Sequence, residues 1–250
     1  MKQIRLFLLS VLNAILDIIY PRTCYFCKKT LPENYTCFCL SCLRKLPLIR
    51  YTVCQRCGSP LGQHILFHAS CNICKNKYFS FAGLRYAGYY ENGLRQLLLD
   101  LKFHRQYHIA MFLGRILANY LKKYPFRHSP DAIIAVPMHL IDEKNRGYNQ
   151  SEVIAKVIAK QLKLPLINNL LYQTDKKKKQ SSLPENQRHK NVQNVFSINS
   201  KIINHWKGKT LLLIDDIFTT GSTVNECSNV LKKNGIKRVY VATIAKTKKI

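Results

Sequence analysis

Two sets of residues in this 250-residue chain have types and spacings suited to chemistry. The first is Leu211–Thr223, LLLIDDIFTTGST. Leu211 to Ile214 read as a buried strand, which puts Asp215 and Asp216 at its carboxyl end, where open α/β sheets bind ligands. Thr219-Thr220-Gly221-Ser222 then reads as the turn into a helix. Such a turn offers unpaired backbone N–H groups and the positive end of the helix dipole to an anion. Gly221 lets the backbone approach that anion closely, and the hydroxyls of Thr219, Thr220, Ser222 and Thr223 add donors. Paired carboxylates beside a phosphate cradle suit a sugar, because they accept from ribose hydroxyls directly or through Mg²⁺. A strand-turn-helix with hydroxyl caps would need none of this, and two adjacent Asp after four apolar residues have no evident packing role.

The second set is Cys24/Cys27, Cys39/Cys42, Cys54/Cys57 and Cys71/Cys74, four CxxC pairs that use eight of the ten cysteines. A CxxC turn aims two thiolates at one ion, and two turns complete a tetrahedral zinc site. Two structural zinc ions bound by sequential pairs are expected, with crossed pairing left open by spacing alone. Cys37 could compete with Cys39, and His64 or His68 could stand in for a cysteine of the second site. Redox dithiols would need a thioredoxin-like unit around them, which is missing here. Cys227, alone on a helix, reads as a small core residue. Lys28, Lys29, Arg44, Lys45, Arg50 and Arg56, with Tyr25, Phe26, Tyr35, Phe38 and Tyr51, would make a nucleic-acid face; the aromatics would equally serve to pack around the metal.

The elements that position these residues follow from pattern. Residues 1–20 have a basic start and an apolar stretch interrupted by Ser10, Asn13 and Asp17, which draws a polar stripe on an amphipathic helix. No small-residue cleavage site follows, and the apolar run is short of the ~20 residues of a spanning helix. The chain is therefore expected to be cytoplasmic, with peripheral contact at the inner face of the membrane as the further option. Residues 21–78 lack long hydrophobic periodicity and form the cysteine module. Residues 79–250 alternate strands and helices: a strand over 81–90, helical spacing over 92–120, a strand at 131–137, a helix over 151–162 with Ser151 as its N-cap, a polar loop over 173–194, a strand at 210–214, a helix over 222–234, and a closing strand at 238–244. This alternation implies α/β architecture, a parallel sheet with helices on its faces. A polar segment of 20 residues is long for a compact domain and reads as a functional lid or as disorder.

Forty Lys and Arg against 13 Asp and Glu leave a formal charge of +27. Eleven basic and two acidic residues precede position 81, and 29 and 11 follow, so both parts are basic rather than one tail. Such a surface favours polyanions: nucleic acid, anionic membrane or a phosphorylated small molecule.

Leu211–Thr223 resembles the phosphoribosyltransferase signature throughout. Ala135-Val136-Pro137-Met138-His139 and Arg146-Gly147-Tyr148-Asn149-Gln150-Ser151 resemble a segment of ComF-type proteins, as does Gln180…Leu183…Arg188…Asn191-Val192…Phe196. Taken with the CxxC pairs, the motif order over about residues 20–247 is similar to the ComF family. That resemblance implies a type I phosphoribosyltransferase-like domain behind a small N-terminal double zinc ribbon. It also implies a role in competence and DNA uptake, handling incoming single-stranded DNA alongside other uptake proteins. The ligand implied is phosphoribosyl diphosphate with Mg²⁺: Asp215 and Asp216 orient the ribose, and Thr219 to Thr223 hold the 5-phosphate. The loop around Arg146 to Asn149, Gly147 included, faces the diphosphate, residues near 173–194 close on it, and Lys102 holds a basic position after the first helix. Any transfer would use Asp215, Asp216 and Arg146 as its catalytic residues. Asn145 departs from the family, in which a second basic residue often precedes Arg146. The alternative is a nucleotide-salvage phosphoribosyltransferase, which transfers the sugar to a base. No segment reads as a nucleobase hood, and the cysteine module could serve as that hood or as a DNA-contact element.

Overall fold

The computed structural model describes residues 21–32, 37–61, 71–103, 106–174 and 195–248. The expected helix over 1–20, most of the polar loop over 173–194, and Tyr35, His64 and His68 lie outside them. The chain divides into two compact units, Met1–Leu46 and Pro47–Ile250.

In the smaller unit Cys24 and Cys27 lie on a tight knuckle. The Cys24 N–H donates to Lys29 O (2.8 Å), and the Lys28 N–H donates back to Cys24 O (2.9 Å). Lys28 sits at φ +58°, a left-handed conformation that the turn imposes on a side-chain-bearing residue. Helix α1 (Leu40–Arg44) starts at Cys39 and carries Cys42 in its first turn. Tyr25, Phe26 and Phe38 pack against one another edge-on or tilted, with centroids 5.4–5.8 Å apart, and Phe38 is buried. These three rings therefore pack the module, whereas Tyr51, in the larger unit, stays exposed.

In the larger unit the apolar runs become β1 (Gly83–Tyr89), α2 (Asn92–Phe103), α3 (Tyr107–Lys123), β2 (Ala132–Ala135), α4 (Leu140–Arg146), α5 (Gln150–Leu162), β3 (Leu171–Gln173), β4 (Phe196–Ile198), α6 (Ser200–Ile203), β5 (Thr210–Phe218), α7 (Ser222–Lys233) and β6 (Arg238–Lys246). Four strands form a parallel sheet in the order β1-β6-β5-β2. Residues 165–167 run along the free side of β2 through a bridge at Ile133. The connections from β1 to β2 and from β5 to β6 run in opposite directions across the sheet. Right-handed crossovers then put α3 and α5, packed side by side, on one face and α7 on the other. Strands buried on both faces read as continuous apolar runs, and Leu211 to Ile214 and Val239 to Ala245 are buried with few breaks.

Three expectations change. The helical spacing over 92–120 belongs to two helices, not one, and α3 continues to Lys123. The polar loop starts later than expected, since Gln173 pairs with Phe196 in a two-stranded antiparallel ladder. Ser151 is not the N-cap of α5: Asn149 caps it, its Oδ1 accepting from the Ser151 N–H (3.0 Å). The cap has moved back two residues because the Ser151 hydroxyl is used elsewhere.

Candidate functional site

Strand β5 outruns its neighbour β2. The ladder between them ends at Ala135–Ile214, while β5 stays paired with β6 as far as Phe218–Lys246. Asp215 and Asp216 are thus inside the strand, held straight by β6, and freed on the β2 side because β2 has ended. Asp215 receives the Ser151 hydroxyl (3.0 Å to Oδ1) and the Asp216 N–H (2.9 Å). Asp216 is paired with Lys102 at the end of α2, Nζ to Oδ2 3.1 Å, with side chains 24% and 13% exposed. Burial first, and the neighbouring Asp216 charge second, push the Asp215 carboxyl up to about 7; its two hydrogen bonds and Lys102 pull the other way.

Beyond Phe218 the chain turns through Thr219 and Thr220 into α7. Gly221, at φ +84°, forms the N-cap. A Cβ there would stand 2.4 Å from the Phe218 ring, so both the conformation and the space require glycine. Thr220 Oγ1 lies 2.8 Å from Ser222 Oγ and 3.3 Å from the Ser222 N. Asp215, Thr219, Gly221 and Thr223 line one shallow concavity at this helix start.

The Arg146–Ser151 segment ties three elements to this centre. Gly147 closes α4 in the left-handed region at φ 84°, donating to Glu143 O (2.7 Å). Tyr148, buried, donates its hydroxyl to Leu101 O, one residue before Lys102. Asn149 donates to Val136 O (3.0 Å) at the end of β2 and caps α5, which starts with buried Gln150. Ser151 then reaches Asp215. Arg146 Nη1 lies 3.4 Å from Gln150 Oε1, and among the described residues neither it nor Gly147 is bonded to the Asp pair. The structure therefore brings Asp215, Asp216, Lys102 and the 219–223 turn together, with Arg146 and Gly147 one segment away. Tyr148 and Asn149, expected with Arg146 and Gly147 to face a diphosphate, are instead buried and bonded to α2 and the end of β2, and sequence reasoning missed Ser151 as the residue that reaches the Asp pair. The N-Q-S string was visible, but its partners are far along the chain.

The cysteines form two separate clusters, Cys24-Cys27-Cys39-Cys42 and Cys54-Cys57-Cys71-Cys74, with the sulfurs of each within 4.8 Å of one another. Zinc–sulfur bonds of about 2.3 Å at tetrahedral angles put sulfurs about 3.8 Å apart. The separations of 3.6 Å for Cys27–Cys39, 3.8 Å for Cys54–Cys74 and 3.5 Å for Cys57–Cys71 fit that demand. Pairing is sequential, not crossed. Cys37 belongs to neither cluster, and Cys227 is buried in α7 as a core residue.

The second cluster belongs to the unit that holds the sheet. Leu48 bridges Gly88, the Ile49 N–H donates to Ala87 O (2.8 Å), and the Leu84 N–H donates to Arg56 O (3.0 Å), so residues 48–56 cover the free edge of β1. Arg85, fully buried, donates to the carbonyls of Cys54, Gln55, Leu84, Tyr124 and Pro125 and to Gln55 Oε1, with Phe126 under its guanidinium at 4.8 Å. No helix among the described residues is long and apolar enough to cross a membrane.

Residues 15–76 match the double zinc ribbon domain, and residues 103–249 match the phosphoribosyl transferase domain. The chain is 30% identical over 226 residues to Competence protein F of Haemophilus influenzae, covering 89% of this chain and 96% of that one. It is 27% identical over 230 residues to DNA utilization protein YhgH of Escherichia coli strain K12 (91% and 98% covered). It is 27% identical over 209 residues to Competence protein ComFC of Bacillus subtilis (82% and 80%). Two four-cysteine clusters, a parallel sheet with an Asp-Asp strand end and glycine-capped helix, and relatives matched over nearly their whole length lead to one conclusion: the chain belongs to the ComF family of competence proteins, a double zinc ribbon joined to a phosphoribosyltransferase domain.

Proposed function

We propose that this protein handles DNA in competence, binds phosphoribosyl diphosphate with Mg²⁺ at the β5–α7 turn, and holds single-stranded DNA on its basic surface. The observation that carries the reading is the convergence of Asp215, Asp216, Lys102 and Ser151 on one strand end, directly before a glycine-capped helix start. In this reading the turn from Thr219 to Thr223 takes the 5-phosphate and the Asp pair accepts from the ribose hydroxyls. Mg²⁺, when bound, neutralises diphosphate charge. Lys102, now on Asp216, and Arg146, at the end of α4, add cations on the diphosphate side. Two zinc ions hold the cysteine clusters.

Single-stranded DNA as partner draws on the relatives' names, on the +27 charge, and on one cleft. Arg56, Lys123, Arg127, His128 and Arg238 line a cleft of about 900 Å³ together with Phe126 and Tyr240, whose rings stack at 4.2 Å. No acidic residue lines it. Arg238 first, then burial and the other nearby cations, hold the His128 imidazole below its ordinary value, as a strongly positive field does. A cleft lined by cations and free of acidic residues is what the backbone of a flexible polyanion recognises.

Titration of the purified protein with phosphoribosyl diphosphate and Mg²⁺, with and without single-stranded DNA, tests both halves. Saturable binding of the sugar diphosphate is expected. DNA affinity should fall with salt by about 0.7 log unit per contacted phosphate for each log unit of salt, and should survive Asp215→Ala. Base-dependent diphosphate release with little DNA affinity would instead identify a salvage enzyme. No binding of phosphoribosyl diphosphate under either condition would sink the ligand assignment.

A further inference from the structure

The two cysteine clusters hold their sulfurs at similar distances but in different surroundings. In the second cluster Cys54 and Cys74 are fully buried, Cys57 is 4% exposed, and the Cys54–Cys74 sulfur contact is closed to solvent. The Cys57 sulfur also lies 3.3 Å from the Ser59 hydroxyl in a buried contact, and Leu61 and Phe79 pack against the group. The first cluster is open on one side. Cys24 is fully buried, but Cys27 is exposed, and so are Lys28, Lys29 and Thr30 after it. The Cys27–Cys39 sulfur contact, at 3.6 Å, lies in exposed surroundings.

Exposure matters here because cysteines that hold zinc do so as thiolates, and the thiolate is the form that oxidants attack. A thiolate that solvent reaches, with a second one poised beside it, is the arrangement in which oxidation ends in a disulfide. Cys27 and Cys39 meet both conditions. Within the cluster the sulfurs are unequal. Cys24 is out of reach and receives the Cys39 N–H (3.4 Å), while the Cys39 sulfur lies 3.0 Å from the Ser41 hydroxyl. A hydrogen bond on sulfur spends part of its nucleophilicity, so the first attack falls to Cys27. Lys28 and Lys29 beside it favour both the thiolate and the hydroxide that the reaction expels.

We propose that Cys27 is an oxidation site for peroxides, and that its reaction with Cys39 empties the first cluster of metal while the second cluster keeps its own. This rests on zinc being held at both clusters. The Cys27 sulfur attacks one oxygen of hydrogen peroxide, the O–O bond breaks, and a sulfenic acid and a hydroxide result. Sulfur is thereby oxidised by two electrons and the peroxide reduced by two. The Cys39 thiolate then attacks the Cys27 sulfur, a disulfide forms, and a second hydroxide leaves. Two thiolates and one peroxide have become one disulfide and two hydroxides. The sulfurs need only close from 3.6 Å to the bonded distance of about 2 Å. Cys24 and Cys42 alone do not complete a tetrahedral site. A small module without its ion loses its fold, and the unit that ends at Leu46 holds only this cluster. The larger unit retains its own cluster and its sheet, so oxidation acts on one unit and spares the other. A thiol reductant and zinc reverse the change.

The test treats the full-length zinc-loaded protein with hydrogen peroxide beside a colorimetric zinc chelator. Metal analysis beforehand establishes one zinc ion per cluster, and a shortfall there refutes zinc at the clusters before any oxidant is added. Zinc is expected to leave in two phases, the first equivalent at least roughly tenfold faster than the second. Peptide mapping without reductant should find a Cys27–Cys39 disulfide in the fast phase, with Cys54, Cys57, Cys71 and Cys74 unoxidised. Cys27→His keeps a ligand for zinc while removing the sulfur, and should slow the fast phase by a similar factor. Cys37→Ser, outside the cluster, should leave it unchanged. Dithiothreitol with added zinc should restore the lost equivalent, and the melting transition of the larger unit should persist after the fast phase. Release of both ions at one rate, oxidation of the second cluster first, or a fast-phase disulfide that excludes Cys27 overturns the proposal. The mapping is made on the wild type, so the result stands whether or not Cys27→His folds.

Discussion

Residues 22–31 and 52–61 build the same knuckle thirty residues apart. Cys24 N–H to Lys29 O, Lys28 N–H to Cys24 O and Leu31 N–H to Arg22 O recur as Cys54 N–H to Ser59 O, Gly58 N–H to Cys54 O and Leu61 N–H to Thr52 O. The bridges Thr23–Thr30 and Val53–Pro60 correspond as well. Their settings differ. The first knuckle closes within the unit ending at Leu46, and Cys27 is exposed. The second is built into the unit that holds the sheet, with Cys57, the counterpart of Cys27, buried and Arg85 bonded to its backbone. One local motif thus serves in one place as a self-contained module and in the other as part of a larger core. The difference comes from what surrounds the knuckle, not from the knuckle itself.

The most severe way to break this comparison is through Arg85. Arg85→Met leaves five carbonyls, two of them in fully buried hydrogen bonds, short of a donor, and each polar group left buried and unpaired costs roughly 1–3 kcal/mol. The larger unit is expected to melt at a clearly lower temperature in calorimetry. Cys54→Ser should act in the same direction by removing one of two zinc ions. Cys24→Ser should remove the other ion and leave the main transition in place. Equal effects of the two cysteine variants on that transition would refute the distinction.

A subtler pair exchanges the equivalent positions Lys28 and Gly58, at φ +58° and +68°. Lys28→Gly relieves left-handed strain and should stabilise the smaller unit by up to ~1 kcal/mol. Gly58→Ala adds strain and a clash 2.6 Å from Leu84 O, and should destabilise the larger unit by about 2 kcal/mol or more. Denaturant melts of the two variants measure both signs.

A further effect concerns pH. Asp215 has its carboxyl raised to about 7 from an ordinary value of 3.8. Its contribution to stability is therefore complete below about 4 and is lost as pH rises through about 7. The ligand-free protein should lose stability over that window from this group. Binding of Mg²⁺ and phosphoribosyl diphosphate, which favours the ionised carboxylate, should strengthen from pH 6 to 8. Asp215→Asn should flatten the profile, and Cys24→Ser should leave it unchanged. A flat wild-type profile would remove Asp215 from the ligand's contacts.

How much of this was legible in the chain differs from site to site. The strand-turn-helix of Leu211–Thr223 was readable because all its determinants are local: four apolar residues, two acids and a glycine that only a left-handed turn explains. The cysteine clusters were readable for the same reason, although only the folded chain decided between sequential and crossed pairing. Ser151 looked like a helix cap because a cap is the local use of serine. Its actual partner is 64 residues away, and the sheet decides that it is within reach. Lys102 was placed by family likeness alone, and only its ion pair with Asp216 shows how it meets the site.

By itself, the sequence determined the two four-cysteine groups, the strand-turn-helix of Leu211–Thr223, the alternation of strands and helices, and the basic character, each a matter of residue type at short spacing. Tertiary structure decided that β2 stops short and frees the Asp pair, that the second knuckle covers the edge of β1, and that Ser151 reaches Asp215. Each of these depends on where a strand ends or which segments meet, and burial then sets the energies. No local spacing carries that information.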